Sequence, residues 1–379
     1  MVELVSVIRP GDGIIWGQAC AEPQTLVEAL VAQRAQLGGV GVFLGSSYSG
    51  IVAPAHADHL RFSSYCGTGS NRALADAGIL DILPVPYSQL APLIENRNIF
   101  CDVVMIQVSP PNERGEHSLG LGVEYLAAAL AVARVVVAEV NDQVPWTHTE
   151  PLLRETDFAL SIETSRPPVY LKASIPSPIE IRIAQRAADL VPEEATIEIG
   201  IGALPNAVLS ALRGRKGLRI HTGAIPDGVT GLNLRSCVGG ALMGTQQLFD
   251  WARNNPLVQL RSSAITHGAA TLGRIERFAA INSAVEVDLT GQVNGESAGG
   301  RYVGAVGGAL DFVRAANQSP GGVSIIAVPG SRIVDKLSGP VSVPRSEAGF
   351  IVTEHGVADL RGCGLRERER RMRAVSGSS

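Results

Sequence analysis

Two carboxylates on one short stretch are the side chains of this sequence with the best spacing for chemistry. Glu286 and Asp288 alternate with valine and leucine over residues 284–289, and a period of two predicts a β-strand. Thr290 and Gly291 follow and predict a turn. A strand fixes the direction of its side chains, so it could hold the Glu286 carboxylate in a defined direction. The same alternation also fits the solvated face of an edge strand, where most strand carboxylates lie.

An internal repeat supplies the elements that would position these carboxylates. Residues 14–44 and 196–223 share the order strand, loop, proline-led helix and strand, and residues 102–140 match residues 278–328 in the same way. Gly17 corresponds to Gly200 and Gly115 to Gly291, separations of 183 and 176 residues. Alternating strands and helices favour parallel sheets. We therefore predict an α/β fold with two related, open, mainly parallel-sheet domains.

A cluster of prolines at positions 167, 168, 176 and 178 indicates the boundary between these domains. We predict an N-terminal domain over residues 1–175 and a C-terminal domain over residues 176–379. The repeat aligns Glu286 with Pro110, so only the second copy keeps the ionisable group. In open α/β sheets, sites form at the carboxyl ends of strands. These observations favour the C-terminal domain as the copy that does chemistry.

Composition excludes several classes of protein. The net charge of −4 gives no reason to expect nucleic acid or an acidic membrane as a partner. Five scattered cysteines without a CxxC pair predict reduced thiols, and the start of the sequence lacks a hydrophobic signal region. These features predict a soluble, cytoplasmic protein. The dense Arg and Glu of residues 365–373 predict a helix with a solvated, charged face.

Other candidate sites in the sequence carry weaker signals. Gly200 and Gly202 precede a predicted helix and could face an anion, but Pro205 replaces the third glycine of a dinucleotide fingerprint, and a packing turn explains them equally well. The glycines Gly307 and Gly308 could let the backbone approach a ligand closely. The seven histidines form no HExxH pair and no serine elbow is present, so we predict no metal site and no serine hydrolase.

Several stretches, taken in order, resemble the acetyl-CoA hydrolase/transferase family, most closely its 4-hydroxybutyrate CoA-transferase branch. The resemblance covers nearly the whole chain. It is carried by residues 101–141 with Gln107-Val108-Ser109-Pro110-Pro111, by residues 200–202 and 221–222, by residues 281–292, by Gly307-Gly308-Ala309-Leu310-Asp311-Phe312 and by Val352-Thr353-Glu354-His355-Gly356.

The resemblance implies a CoA-transferase fold and ping-pong transfer of CoA between carboxylic acids. The family's nucleophilic glutamate falls on Glu286. The expected CoA- and substrate-binding residues are Ser263, Ala264, Ile265, Thr266, His267, Gly307, Gly308 and Gly356. The implied partners are an acyl-CoA and a small carboxylic acid, with a CoA thioester as substrate, no other cofactor, and a homodimer as the assembly.

Three departures from the family pattern qualify what the resemblance implies. Gly223 replaces a glutamate that follows His221-Thr222 in relatives, the segment between Pro329 and Ser331 is shortened where relatives carry a CoA-contacting lysine, and the chain ends soon after Gly362. The last two bear on CoA affinity more than on the chemistry. An acyl-CoA hydrolase and a catalytically idle CoA-binding homologue remain as alternatives. Short aliphatic acids, hydroxy acids and dicarboxylates all remain open as substrates.

Overall fold

The computed structural model describes residues 2–172 and 174–377, which divide into two compact units. The first unit contains residues 1–171 and 240–265, and the second contains residues 172–239 and 266–379. Residues 240–265 therefore belong to the first unit, although they follow part of the second unit in sequence. The single boundary at residues 175/176 expected from the sequence does not include this return of the chain. The helices of the described residues are all too short or too polar to cross a membrane.

The first part of the chain alternates strands and helices as the periodicity predicts. Its strands are β1 (Gly13–Trp16), β2 (Gly41–Leu44), β3 (Arg61–Ser64), β4 (Leu80–Ile82), β5 (Val103–Val108), β6 (Glu116–His117), β7 (Val135–Asn141), β8 (His148–Thr149), β9 (Leu153–Arg154) and β10 (Leu160–Thr164). Its helices are α1 (Gln24–Gln33), α2 (Asn71–Asp76), α3 (Leu90–Glu95) and α4 (Leu126–Val132).

The remainder of the chain carries the elements numbered from α5 and β11 onwards. The helices are α5 (Pro178–Leu190), α6 (Ala203–Ala211), α7 (Gln246–Ala252), α8 (Ser263–Thr266), α9 (Ala269–Leu272), α10 (Ala309–Gln318) and α11 (Leu365–Ser376). The strands are β11 (Thr196–Ile199), β12 (Leu218–Ile225), β13 (Leu234–Leu242), β14 (Val258–Leu260), β15 (Phe278–Asn282), β16 (Glu286–Asp288), β17 (Val293–Asn294), β18 (Ser297–Ala298), β19 (Arg301–Tyr302), β20 (Val323–Ala327), β21 (Ile333–Val334), β22 (Phe350–Val352) and β23 (Val357–Asp359).

The predicted repeat is visible in the order of the strands. The sheet of the first unit runs β10–β7–β5–β1–β2–β3–β4, and adjacent strands in the second run β23–β22–β20–β15–β11–β12–β13. The segment β10–β7–β5–β1–β2 matches β22–β20–β15–β11–β12, and every pair within both segments is parallel. The two segments therefore have the same strand order and the same strand direction. This confirms the α/β fold with two related, mainly parallel sheets.

Each unit has its own apolar core, as chains of this size allow. The first core packs the buried strands β1, β2 and β5 against α1, with Ile14, Leu26 and Met105 at most 1% exposed. In the second unit, one cluster joins Val287 of β16 to Ile351 of β22 and to Met372 of α11, all fully buried. Burying one such side chain contributes about 1.5–3 kcal/mol, so this cluster holds the short strand β16 firmly.

Candidate active site

The predicted strand around Glu286 is present as β16, which covers Glu286–Asp288 and is shorter than residues 284–289. It pairs antiparallel with β17, where Glu286 lies opposite Asn294, and parallel with β21, where Val287 lies opposite Ile333. The Glu286 side chain is only 9% exposed. A solvated strand face is therefore excluded for this carboxylate.

Asp288 has a structural task that separates it from Glu286. Its Oδ1 accepts hydrogen bonds from the backbone N–H and hydroxyl of Thr290, at 2.8 and 2.7 Å, and from the N–H of Gln292 at 3.0 Å. Its Oδ2 accepts one from the Gln292 amide at 2.6 Å. Gly291 completes this turn with a φ of +92°, a value that favours glycine. Asp288 thus fastens the predicted turn after β16, and both of its oxygens are engaged.

The two oxygens of Glu286 have unequal surroundings. Oε1 accepts hydrogen bonds from the backbone N–H of Ser338 at 2.6 Å, the side-chain amide of Asn294 at 3.0 Å and the backbone N–H of Gly339 at 3.2 Å. The Ser338 hydroxyl lies 2.9 Å from Oε1 and 3.1 Å from Oε2. Within the described part of the chain, that hydroxyl is the one donor that reaches Oε2. Oε1 is therefore the anchored oxygen, and Oε2 keeps free lone pairs.

These contacts decide the charge of the carboxylate. Burial acts to raise the pKa of Glu286, but the hydrogen bonds from Asn294, Ser338 and Gly339 outweigh it and hold the pKa below its ordinary value. Glu286 is consequently ionised at neutral pH and needs no neighbouring base to become a nucleophile.

The groups that hold Oε1 come from two segments that strand pairing brings to β16. Asn294 lies on β17, and Ser338 and Gly339 follow β21 by a few residues. Gly339 leaves no room for a side chain, because a Cβ there would lie 2.5 Å from Nδ2 of Asn294 and would also meet Oγ of Ser297. None of these three residues was predicted as a site residue. The Ser-Gly-Pro run at 338–340 predicts a turn, but nothing in that pattern indicates a contact with Glu286.

A second group of predicted site residues meets around His267, whose ring is buried and packs against Phe312 with centroids 4.6 Å apart. Burial and the neighbouring His221 lower the pKa of His267 to about 3, so the ring is neutral at physiological pH. A Cβ at Gly308 would lie 2.5 Å from Nε2 of His267, and one at Gly223 would lie 3.0 Å from Cε1. The histidine ring therefore occupies the space that a side chain at either glycine would need.

The other predicted binding residues lie elsewhere. Ser263, Ala264 and Ile265 belong to the first unit, whereas Glu286 belongs to the second. Ser263 is buried, and its backbone N–H donates to the carbonyl of Glu124 at 3.1 Å.

Three of the predicted binding residues remain to be placed, one at the end of helix α8 and two in loops. Thr266 is buried beside His267, with its hydroxyl 2.9 Å from the ring Nδ1. Gly307 adopts a φ of +60° just before α10. Gly356 lies in the connection between β22 and β23, where its carbonyl accepts from the N–H of Thr353 at 3.0 Å.

The charged C-terminal segment predicted as a helix is α11, and its face is not wholly solvated. Glu367 pairs with Arg370 and Arg371 on the same helix, both at 2.6 Å. Arg368 instead donates to the carbonyls of Thr290 at 3.1 Å and Arg345 at 2.8 Å. This helix therefore supports the turn that follows the strand of Glu286.

Possible metal ligands do not converge in residues 2–172 and 174–377, where no group of three His, Cys, Asp or Glu side chains could hold an ion. None of the five cysteines forms a disulfide bond, and four of them are buried. Burial raises the pKa of the Cys101 and Cys237 thiols to about 12, so both are protonated at neutral pH and inert as nucleophiles.

Comparison with known proteins gives a consistent assignment. Residues 1–153 match the N-terminal and residues 244–379 the C-terminal domain of the acetyl-CoA hydrolase/transferase family models. The 4-hydroxybutyrate coenzyme A transferase of Clostridium kluyveri is 33% identical over 97% of this chain and 91% of that protein. The succinyl-CoA:acetate/propanoyl-CoA:succinate CoA transferase of Fasciola hepatica is 34% identical over 82% of this chain and 70% of that protein.

A solved structure agrees over the same length. RipA from Yersinia pestis superposes with a TM-score of 0.93 at 28% identity, covering 98% of this chain and 92% of that one. The matches to both family domains and to full-length relatives lead to one conclusion. The chain belongs to the acetyl-CoA hydrolase/transferase family of enzymes, alongside CoA-transferases.

Proposed function

We propose that this protein transfers CoA from an acyl-CoA to a carboxylic acid by a ping-pong mechanism, with Glu286 as the covalent nucleophile. The observation that carries the proposal is the asymmetric Glu286 carboxylate, which is ionised, anchored through Oε1 and available at Oε2. A carboxylate that must be acylated and regenerated in every cycle needs a fixed position and one free oxygen.

The first half-reaction follows from this geometry. A lone pair of Oε2 attacks the thioester carbonyl, and the C–S bond breaks to give a mixed anhydride and CoA thiolate. The thiolate then attacks Cδ of Glu286, and the Cδ–Oε2 bond breaks to release the carboxylic acid with Oε2. Glu286 is left as a glutamyl-CoA thioester. An incoming carboxylate reverses both steps, and its own oxygen regenerates the glutamate.

The CoA portion of the substrate would contact the residues predicted for it. We propose that Thr266, His267, Gly307, Gly308 and Gly356, all in the second unit, bind the CoA moiety. Binding energy from this remote part of the substrate can lower the barrier at the thioester. The relatives named above act on succinate, acetate, propanoate and 4-hydroxybutyrate, so we propose short carboxylic acids as the substrate class.

Trapping of the covalent intermediate tests the nucleophile. Wild-type protein incubated with acyl-CoA alone should accumulate a thioester that borohydride reduces or hydroxylamine converts to a hydroxamate, and peptide mass spectrometry should locate it on Glu286. Glu286→Gln should abolish both transfer and labelling, because the amide is isosteric and far less nucleophilic. The matched control is Glu276→Gln, at an exposed position of the same unit. It should transfer CoA at the wild-type rate.

A second assay distinguishes CoA transfer from thioester hydrolysis. Acyl-CoA donors are tested against a panel of short carboxylates, with acceptor-free reactions that measure thioester hydrolysis. Transfer should exceed hydrolysis for at least one acceptor. Labelling of a residue other than Glu286, or full activity of Glu286→Gln, would show that the assignment is wrong.

A further inference from the structure

The donors around Oε1 have a second consequence for the chemistry. Three of them, the N–H groups of Ser338 and Gly339 and the amide of Asn294, converge on one oxygen at 2.6–3.2 Å. In the ground state these donors keep the carboxylate ionised, but its negative charge is shared between two oxygens. A tetrahedral intermediate at Cδ, by contrast, places a full negative charge on a single oxygen.

We propose that the backbone N–H groups of Ser338 and Gly339, together with the Asn294 amide, form the oxyanion hole for the tetrahedral intermediates at Cδ of Glu286, and that Oε2 is the oxygen that becomes acylated. This inference rests on the proposed function, since it assigns groups to the reaction of the glutamyl carbon.

The movement of electrons during the reaction shows why hydrogen-bond donors are useful at Oε1. When the thiolate attacks Cδ of the mixed anhydride, a C–S bond forms and the π electrons of the Cδ=Oε1 bond move onto Oε1. The oxyanion then collapses, the Cδ–Oε2 bond breaks and the carboxylic acid leaves as its anion. In the second half-reaction the incoming carboxylate attacks the same carbon, and the charge returns to Oε1. Oε1 therefore never leaves the protein, and it carries the developing charge each time Cδ is attacked.

The Asn294 donor is oriented before the reaction begins. Its side-chain carbonyl accepts from the backbone N–H groups of Glu296 at 2.9 Å and Ser297 at 3.1 Å, and its amide also donates to the carbonyl of Ser297 at 2.8 Å. Because two N–H groups face the carbonyl oxygen, the amide nitrogen must point to Glu286. Asn294 is also fully buried. A donor fixed in this way requires no reorganisation in the transition state, which is the property that makes oxyanion holes effective.

Ser338 contributes a further, movable donor. Its hydroxyl lies within hydrogen-bond distance of both Glu286 oxygens but has only one hydrogen to give. It can therefore donate to Oε2 in the free enzyme and turn to Oε1 when charge collects there. The backbone N–H of the same residue stays on Oε1 throughout.

Single-turnover kinetics test the assignment. Wild type and variants are mixed with saturating acyl-CoA, quenched at intervals and assayed for the glutamyl-CoA thioester by mass spectrometry. Asn294→Ala should slow thioester formation by about 10²–10³-fold, the loss typical for one oxyanion donor, with the Kd for CoA unchanged. Ser338→Ala keeps both backbone donors and should slow it by only about tenfold. Ser346→Ala, at an exposed position of the same unit, is the control and should match wild type.

A pH profile distinguishes direct donation from a structural role. The titratable groups on the segments around Glu286 are Asp288 on its own strand, Glu296 beyond Asn294, and Asp335 and Lys336 just before Ser338. Asp288 accepts a hydrogen bond from Gln292, and Glu296 accepts one from Ser342. Loss of the Asn294 donor should raise the pKa of Glu286, so the acidic limb of the single-turnover profile should move to higher pH. Asn294→Asp, which is isosteric and directs an anionic oxygen at Glu286, should move that limb further and lose more rate.

The outcomes separate this inference from the function on which it depends. If wild type forms no thioester at Glu286, the proposed function fails and no rate can be compared. If wild type forms the thioester and folded Asn294→Ala and Asn294→Asp form it as fast with an unmoved acidic limb, the nucleophile stands and the oxyanion hole is refuted. Should Asn294→Ala fail to fold by circular dichroism, the Asn294→Asp and Ser338→Ala results decide the question.

Discussion

Gly339→Ala is the substitution whose effect the structure specifies most closely. A Cβ at this position would lie 2.5 Å from Nδ2 of Asn294, whereas an ordinary contact begins at 3.4 Å. The amide must therefore retreat by about 0.9 Å and the Ser297 hydroxyl, which is closer, must also move, or the loop must shift by more than this. The Asn294 amide is 3.0 Å from Oε1 of Glu286, so a retreat of this size away from the carboxylate takes it out of hydrogen-bond range.

The expected magnitude combines two effects. Loss of one oxyanion donor costs about 2.7–4 kcal/mol of transition-state stabilisation, which corresponds to about 10²–10³-fold in rate. Overpacking a buried site typically costs a further 1–3 kcal/mol of folding stability. We therefore expect Gly339→Ala to remain folded with a lowered denaturation midpoint and to form the glutamyl-CoA thioester at least about 10²-fold more slowly than wild type.

The assay is the single-turnover measurement with acyl-CoA, accompanied by urea denaturation. Gly41→Ala is the matched control, because Gly41 lies in an extended strand and a Cβ there meets nothing within 4 Å. A Gly339→Ala protein that forms the thioester at the wild-type rate would refute the argument, since it would show that the donors to Oε1, whether on Asn294 or on the loop, can be displaced without consequence.

Two further predictions concern stability. Arg368→Gln should lower the free energy of unfolding by about 1–2 kcal/mol in urea titrations, because it removes charged hydrogen bonds to the carbonyls of Thr290 and Arg345. The control Arg366→Gln, at an exposed position of the same helix, should leave the free energy of unfolding unchanged. Equal stability of the two variants would contradict the prediction. Burial raises the pKa of Glu198 from 4.5 to about 8, so between these values the folded protein binds a proton that the unfolded chain releases, and stability falls as pH rises. Glu198→Gln should remove this contribution, which is about 1.4 kcal/mol per pH unit at most, and gain stability relative to wild type between pH 5 and pH 8. A difference in unfolding free energy between Glu198→Gln and wild type that is the same at pH 5 and at pH 8 would contradict this prediction.

Local sequence patterns predict most of the elements that carry the site. The period-two alternation around Glu286 and the Thr290-Gly291 turn are local patterns, and both are present in the structure. Both helices of the repeat are present too, with Pro23 directly before α1, but α6 begins at Ala203 and Pro205 is its third residue instead of its start. The repeat also anticipated the shared strand order of the two sheets. Such features can be read from sequence because the backbone geometry of strands, turns and helices sets a fixed side-chain period.

The way Glu286 is held depends on contacts between segments that are distant in sequence. Asn294 is eight residues away and Ser338 is 52 residues away, and they meet at one oxygen because β17 and β21 both pair with β16. The packing of His267 into the space left by Gly223 and Gly308 was likewise invisible, since those residues come from separate stretches of the chain. Side-chain periodicity reports which face of an element is buried, but the identity of its partners depends on contacts between segments far apart in sequence. The inequality of the two carboxylate oxygens arises from those contacts alone.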